Sequence, residues 1–387
     1  MTTHDLVIAG GGPAGAAAAL GALQARPGMS VALLDRADFP RDKTCGDGIA
    51  PEVFDLLSEA GVEDVAEGWA PVDRLSMRRG ERVVERTMAR STWVIPRAVF
   101  DHRLHQAAVR AGAQPHTHRV TRVAVGADEV QVDERFSAPL VVGADGAHSV
   151  VRRAIGLPPG PTAFALRGYA PTTAHRGGTQ AMVFGETRQP SYAWSFDRGD
   201  GLANVGYGEV QAPGAPRLSR SELMAQIEQL LPGSTTDGTQ WKGAHLPLSA
   251  WGAQVADGRV ALVGDAAGMV NPMTGEGIYY AVLTGLLAGR AAAAALDAGD
   301  PQLFGRDYTR GVRTILGPHL RHSALAARLC RSGRLLDAGV RAAQSDQRVF
   351  DDLVDLGLAN GRITPVVLRR LTRHLLGTAT QRTELSG

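Results

Sequence analysis

Three glycines near the N-terminus, Gly10, Gly12 and Gly15, stand at the spacing Gly-x-Gly-x-x-Gly directly after the apolar run Leu6 to Ala9. That spacing suits phosphate chemistry. The first glycine permits a sharp turn, the second lets a pyrophosphate approach bare backbone, and the third lets the next helix pack closely. The helix that follows is alanine-rich (Ala14, Ala16 to Ala19), so its first amides and its dipole would face the phosphates. A second apolar run, Val31 to Leu34, ends in Asp35, an acid placed to accept hydrogen bonds from a ribose hydroxyl. The interval from Gly10 to Asp35 exceeds the usual figure of about 20 residues, and a longer loop from Arg26 to Ser30 absorbs the excess.

Far downstream lies a second glycine-rich stretch, Val260 to Gly268, followed by Asn271 to Gly277. Asp265, just after a buried strand, is placed for ribityl or ribose hydroxyls. Gly275 and Gly277 leave amides free to approach a ligand edge on which negative charge develops, where fixed dipoles stabilise it. A helix opening near Gly277 adds its dipole in the same direction. Either stretch alone could be a set of turn glycines with no ligand. Together they point to FAD.

These groups require an α/β architecture: a Rossmann-like FAD-binding domain, an inserted antiparallel-sheet substrate domain and a helical C-terminal region. Residues 1–70 supply the first βαβ unit and a cofactor-facing loop, and 71–93 leave for a second sheet. Residues 94–160 return to the cofactor domain, with a helix from Val99 to Arg110 and a strand from Leu140 to Gly143. Short strands with turns at Gly177-Gly178 and Arg198 to Gly201 place the substrate sheet in 161–249, with one helix near Ser219 to Leu231. Residues 250–325 complete the cofactor domain, beginning with the strand Val260 to Val263, and 326–387 form the helical region.

Composition excludes several classes. The chain has 387 residues, 44% hydrophobic and 21% charged, with a net charge of +2, which implies no nucleic-acid partner. Its two cysteines, Cys45 and Cys330, are too few for a disulfide framework or metal cluster and suit a reducing cytoplasm. The 11 histidines show no metal spacing. No signal-peptide pattern opens the chain, and the longest apolar candidate, Ile278 to Leu296, is interrupted by Arg290.

Further segments carry a resemblance. Phe39 to Gly48 contains Cys-Gly-Asp-Gly; Gly143 to Arg152 contains Gly-Ala-Asp-Gly; Ser191 to Phe196 reads Ser-Tyr-Ala-Trp-Ser-Phe and is followed by Ala203 to Gly208. With the two glycine-rich stretches, they resemble the geranylgeranyl reductase family of FAD-dependent oxidoreductases, within the aromatic hydroxylase-like flavoproteins. The resemblance runs from Asp5 to about Arg321. It implies cofactor contacts from Pro13, Ala14, Arg36, Cys45, Gly46, Arg97, Val120, Asp145, Gly264 and Ile278, beside the glycines and acids above. Arg97 would stand against the FAD phosphate or ribose, while Arg152 would brace Asp145 through an ion pair. Cys45 would sit near the flavin and could help place or protonate a substrate carbon, although a free cysteine is often just a small buried hydrophobe. Cys330 reads as core.

Tyr192, Trp194 and Phe196 alternate, so all three face one side of a strand. With the resemblance, that side becomes an aromatic wall for an apolar substrate. The family signature closes with proline after the phenylalanine; here Asp197 takes its place, which weakens the inference of a long prenyl chain.

The activity implied is reduction of carbon–carbon double bonds of an isoprenoid or similar apolar molecule by hydride from reduced flavin. With no second Gly-x-Gly-x-x-Gly, electrons would come from NAD(P)H bound without its own Rossmann unit, or from a ferredoxin-like donor protein. A flavin monooxygenase tailoring a natural product is the alternative, and a non-catalytic electron carrier a further one. The Gly-Trp-x-Trp-x-Ile-Pro motif of halogenases is absent. The basic apolar stretch Ile363 to Leu376 would either lie on a membrane surface or pack one face on its own domain.

Overall fold

The computed structural model describes residues 1–186, 188–211, 214 and 216–384, with side chains to residue 375. Its centre is a six-stranded sheet in the order Ala256–Asp257, Val260–Leu262, Leu140–Gly143, Leu6–Ala9, Val31–Asp35, Gln114–Thr117. Every pairing is parallel except the short hairpin of the first two. Leu6 to Ala9 and Leu140 to Val142 are fully buried, as expected where helices cover both faces of a parallel sheet. Val260–Leu262 stops one residue short of the expected end, because Val263 caps a 3-10 turn over Gly264–Ala267.

Ten helices occur among the described residues. The first five are α1 (Pro13–Ala25), α2 (Pro51–Glu59), α3 (Arg97–Arg110), α4 (Val150–Ala154) and α5 (Arg220–Leu230). They are followed by α6 (Ile278–Asp297), α7 (Leu303–Leu329), α8 (Gly333–Ser345), α9 (Gln347–Leu358) and α10 (Pro365–Glu384). Helix α3 starts two residues before the expected Val99, with Pro96 as its cap. Ser219 caps α5 in a reciprocal capping box with Glu222.

Helix α6 is long and apolar enough to cross a membrane, yet it lies mostly inside the protein. It packs against α1, α2 and α7. The contact with α1 is backbone to backbone: a Cβ on Gly285 would meet the Ala14 carbonyl oxygen at 2.3 Å. Only glycine allows that approach. Helices α1 and α6 are therefore locked together, the first turn of α1 against the middle of α6.

A second, eight-stranded sheet runs Thr239–Pro247, Thr162–Pro171, Leu202–Val210, Ser191–Asp197, Thr179–Phe184, Pro71–Arg79, Arg82–Val94, Gly48–Ile49. It is antiparallel except where Thr179–Phe184 runs parallel to Pro71–Arg79. One face of this sheet looks toward α8 and α9, with Leu75, Val84 and Met88 packed on Val340 and Phe350. A small four-stranded sheet (Thr2–Thr3, Phe136–Ala138, Val130–Val132, Val123–Val125) flanks the parallel sheet. Sequence reading assigned no such sheet; its strands are of two or three residues, too short for alternation to register.

Candidate active site

The phosphate-type turn forms as its spacing requires. Gly10 has φ +110°, and its missing side chain lets the backbone of Ala144 approach. Gly15 closes the turn: a Cβ there would sit 1.8 Å from the Gly10 carbonyl oxygen. The Gly11 amide donates to Asp35 Oδ2 at 2.9 Å, so the terminal acid of the second strand clasps the turn itself. Helix α1 begins with Gly12 as cap and no side chain on its first amides.

Arg41 completes this corner. It pairs with Asp35 at 3.1 Å and with Asp101 at 3.5 Å, and its guanidinium lies over the Phe39 ring. Phe39 in turn stacks on His105 with ring centroids 4.1 Å apart. Arg41 lies beside Gly12, 3.3 Å from where a Cβ would stand, and its buried Nε has no partner among the described residues. Arg41 lies within the Phe39 to Gly48 segment but outside its Cys-Gly-Asp-Gly core, and nothing in the sequence distinguishes it from Lys43 as the cation that reaches this corner.

A large cavity of about 1070 Å³ includes this corner. Gly10, Gly12, Pro13, Ala14, Asp35, Arg36 and Val120 line its first part. Cys45, Gly46, Arg97, Asp145, Asp265, Gly275, Gly277 and Ile278 line the middle. Two expected residues do not reach it. Gly15 and Gly264 act through packing, Gly264 with φ +53° between Ala14 and Ala281.

Two other expectations need correction. Arg152 makes no ion pair with Asp145 among the described residues. Asp145 Oδ2 instead accepts the Val150 amide at 2.6 Å and the Val151 amide at 3.3 Å, capping α4, because the short helix presents its free N–H groups directly to that carboxylate. Cys330 is not core but lines the far end of the cavity, where burial pushes its thiol up to about 11. Arg97 is engaged by Asp101, with Nη2 to Oδ2 at 2.8 Å, and its charge bears on Cys45.

The Cys-Gly-Asp-Gly loop is held by Asn204, within the Ala203 to Gly208 segment, whose role the sequence alone does not reveal. Its amide nitrogen donates to the Cys45 carbonyl and to Asp47 Oδ2, both at 2.8 Å. Its amide oxygen accepts the Trp194 Nε1–H at 2.9 Å. The Tyr169 hydroxyl also donates to Asp47 Oδ2 at 2.5 Å. Burial pushes the Asp47 carboxyl up to about 6 despite these donors, and its Oδ1 has no partner among the described residues. Burial likewise pushes the Cys45 thiol up, so it stays protonated at neutral pH. Cys45→Ser is expected to slow turnover about 100-fold with flavin content unchanged; turnover at the wild-type rate would remove the thiol from the chemistry.

Tyr192, Trp194 and Phe196 all line the cavity, with successive ring centroids 5.9 and 6.3 Å apart. The Tyr192 hydroxyl donates to the Thr274 carbonyl, tying this wall to the second glycine-rich stretch. Asp197 points away from the wall. Its carboxylate accepts from Thr172 Oγ1 at 2.9 Å and from the Gly178 and Gly199 amides at 2.6 and 3.1 Å. Asp197, at the position of the signature proline, thus holds a strand end and does not itself line the cavity.

Beyond the aromatic wall the cavity continues between the eight-stranded sheet and the C-terminal helices. Met77, Met182 and Phe184 on the sheet side face Leu336, Val340 and Leu353. Helix α10 contributes Val367 and Leu371 and packs Val367 on Ala342 and Val349.

A model described as an FAD binding domain matches residues 3–310. A geranylgeranyl diphosphate reductase from Rhodobacter capsulatus is 33% identical over 315 residues, 77% of each chain. The chain belongs to the geranylgeranyl reductase family of FAD-dependent oxidoreductases. A menaquinone reductase from Mycolicibacterium smegmatis is 32% identical over 355 residues, 84% of this chain and 83% of the relative. The structure of a geranylgeranyl bacteriochlorophyll reductase-like protein from Thermoplasma acidophilum shares the fold, with a TM-score of 0.79, 19% identity and full coverage of both chains.

The residues present fit FAD. The α1 amides, Arg41 Nε and Asp145 Oδ1, each without a side-chain partner among the described residues, all border this cavity. They supply donors where phosphates need them and an acceptor where hydroxyls do. When bound, the flavin supplies hydride chemistry.

Proposed function

We propose that this oxidoreductase saturates carbon–carbon double bonds of an isoprenoid or similarly apolar molecule. The observation that carries this is the continuity of the cavity. It passes from the dinucleotide corner, past Cys45 and the aromatic wall, into a gallery lined by aliphatic side chains of the sheet and α7 to α10. Ordinary small-ligand pockets occupy roughly 300–1,000 Å³; at about 1070 Å³ this one is suited to a cofactor and an elongated apolar partner together.

In this reading Gly10, Gly12, Pro13, Ala14 and Arg41 hold the pyrophosphate, and Asp35, Arg36 and Val120 the adenosine end. Arg97, Asp145 and Asp265 serve the ribose and ribityl hydroxyls. Gly46, Gly275, Gly277 and Ile278 border the ring, and Tyr192, Trp194 and Phe196 orient the alkene. The Cys45 thiol, a tyrosine or water supplies the proton. Electrons come from NAD(P)H or a ferredoxin-like donor. Both cysteines are free, which suits a cytoplasmic, reducing setting.

The test is anaerobic. Chemically reduced holoprotein is mixed with geranylgeranyl diphosphate, whose only reducible bonds are its alkenes, while flavin absorbance is followed. Reoxidation by the alkene, with a product that has gained two hydrogens, is the expected result. Reoxidation only by oxygen, with an oxygenated product, would instead make the enzyme a monooxygenase. Met182→Trp should raise KM for a long-chain substrate by about 10- to 100-fold, since overfilling a packed site costs roughly 1–3 kcal/mol. A short-chain analogue should be unaffected, and equal losses for both would place the chain elsewhere.

A further inference from the structure

Glu276 stands between Gly275 and Gly277, on the cavity wall at the start of α6. Its side chain folds back onto that helix, and Oε1 accepts the Tyr279 amide at 2.9 Å. The amides of Gly277 and Ile278 also favour its ionised form. These are the donors that an uncapped α6 would offer to the electron-rich edge of a bound flavin. The chain has placed its own carboxylate on them. Glu276 has no ion pair among the described residues.

The groups around it set its behaviour. Arg97 from α3 is the cation that bears on it, but Arg97 is already bidentate on Asp101. Cys45 from the loop, Tyr192 from the aromatic wall and Tyr280 from α6 itself all feel its negative charge. Burial outweighs the amides and Arg97 together, and pushes the carboxyl up to about 7.

We propose that Glu276 is the charge-compensating group of the cofactor end of the cavity, taking a proton from solvent when negative charge arrives beside it. Reduction by two electrons and one proton leaves the cofactor one unit more negative than before. A second proton, bound to a Glu276 oxygen, restores neutrality and weakens the hold of the carboxyl on the α6 amides. Those amides then become available to the new charge. The inference rests on the flavin and not on the identity of the alkene, so it survives or fails independently of the proposed substrate class.

The decisive measurement is a reduced-minus-oxidised infrared difference spectrum of the holoprotein at pH 8. Wild type should gain a protonated-carboxyl carbonyl band on reduction. Glu276→Gln should lack that band, whereas Asp47→Asn should keep it. Proton uptake, followed with an indicator dye, should be greater in wild type by one proton per flavin than in Glu276→Gln. The apoprotein gives a reading without cofactor. A carboxyl raised above its unfolded value near 4.5 costs stability progressively as pH rises from there to about 7, and Glu276→Gln should remove that drop. No carboxyl band in wild type, or a band that persists in Glu276→Gln, would overturn the assignment. If Glu276→Gln failed to retain flavin, Glu276→Asp would decide it: the band should shift in frequency, and an unshifted band would overturn the assignment.

Discussion

Asn204→Asp should cost roughly 3–5 kcal/mol of stability at pH 8 and reduce turnover at least 100-fold, with the stability loss shrinking as pH falls. The substitution keeps the acceptor for Trp194 but removes both N–H donors. The Cys45 carbonyl and Asp47 Oδ2 each lose a bond of 2.8 Å. Leaving a buried polar group unsatisfied costs about 1–3 kcal/mol, more when it is charged. It also sets a second carboxylate against Asp47, which is fully buried. The sign of the pH effect follows from Asp47, whose carboxyl lies at about 6 in the folded protein against 3.8 ordinarily. A raised acid is a penalty absent below the unfolded value, growing as pH rises and complete above the folded one. The new carboxylate pushes both acids higher still, so the penalty should ease below about pH 6. Chemical denaturation at pH 5 and pH 8 checks this. A pH-independent loss would mean that Asn204 is ordinary packing. Asn204→Gln, which keeps the amide chemistry, should recover part of the turnover through KM-independent kcat.

Much of the cofactor domain was legible because its signals are local. Leu6 to Ala9 and Leu140 to Gly143 are unbroken apolar runs, and a strand buried on both faces has no other way to be written. Gly10, Gly12 and Asp35 are linked by turn geometry over a short stretch of chain. What was not legible depends on distant partners. Asn204 stands between Tyr169 and Phe196 across two strand pairings, and its loop partners are more than 150 positions away. Alternation puts it on a strand but cannot say what lies over it. The same limit applies to Asp145. Its motif was recognised, but whether it would meet an arginine or a helix end depended on how α4 turns. The C-terminal helices showed an apolar face without showing that the face would roof a cavity. Glu276 was passed over because flanking glycines suggested bare amides, while the residue between them carried the acid that occupies one.

Gly10→Ala should give colourless protein. Its Cβ would stand 2.2 Å from the Ala144 carbonyl oxygen and 2.6 Å from the Ala144 carbon, both rigid backbone. Just there, Ala9 and Gly143 are paired and the Ala144 amide donates to the Ala9 carbonyl at 2.7 Å. No side chain can rotate away to make room. The two strands must part at the end where the dinucleotide corner forms. The residue also has φ +110°, a conformation that L side chains rarely adopt. Strain of about 1–3 kcal/mol and overpacking of about 1–3 kcal/mol act together, so a loss of roughly 2–6 kcal/mol is expected, at the point where the flavin would be gripped. Gly28→Ala separates the two causes. Gly28 also has positive φ, at +84°, but a Cβ there meets nothing within 4 Å. It should pay the strain alone and keep its yellow colour. Flavin absorbance per protein, with thermal unfolding of the apoproteins, reads both effects. Full flavin content in Gly10→Ala would show that this turn is not where the cofactor is gripped.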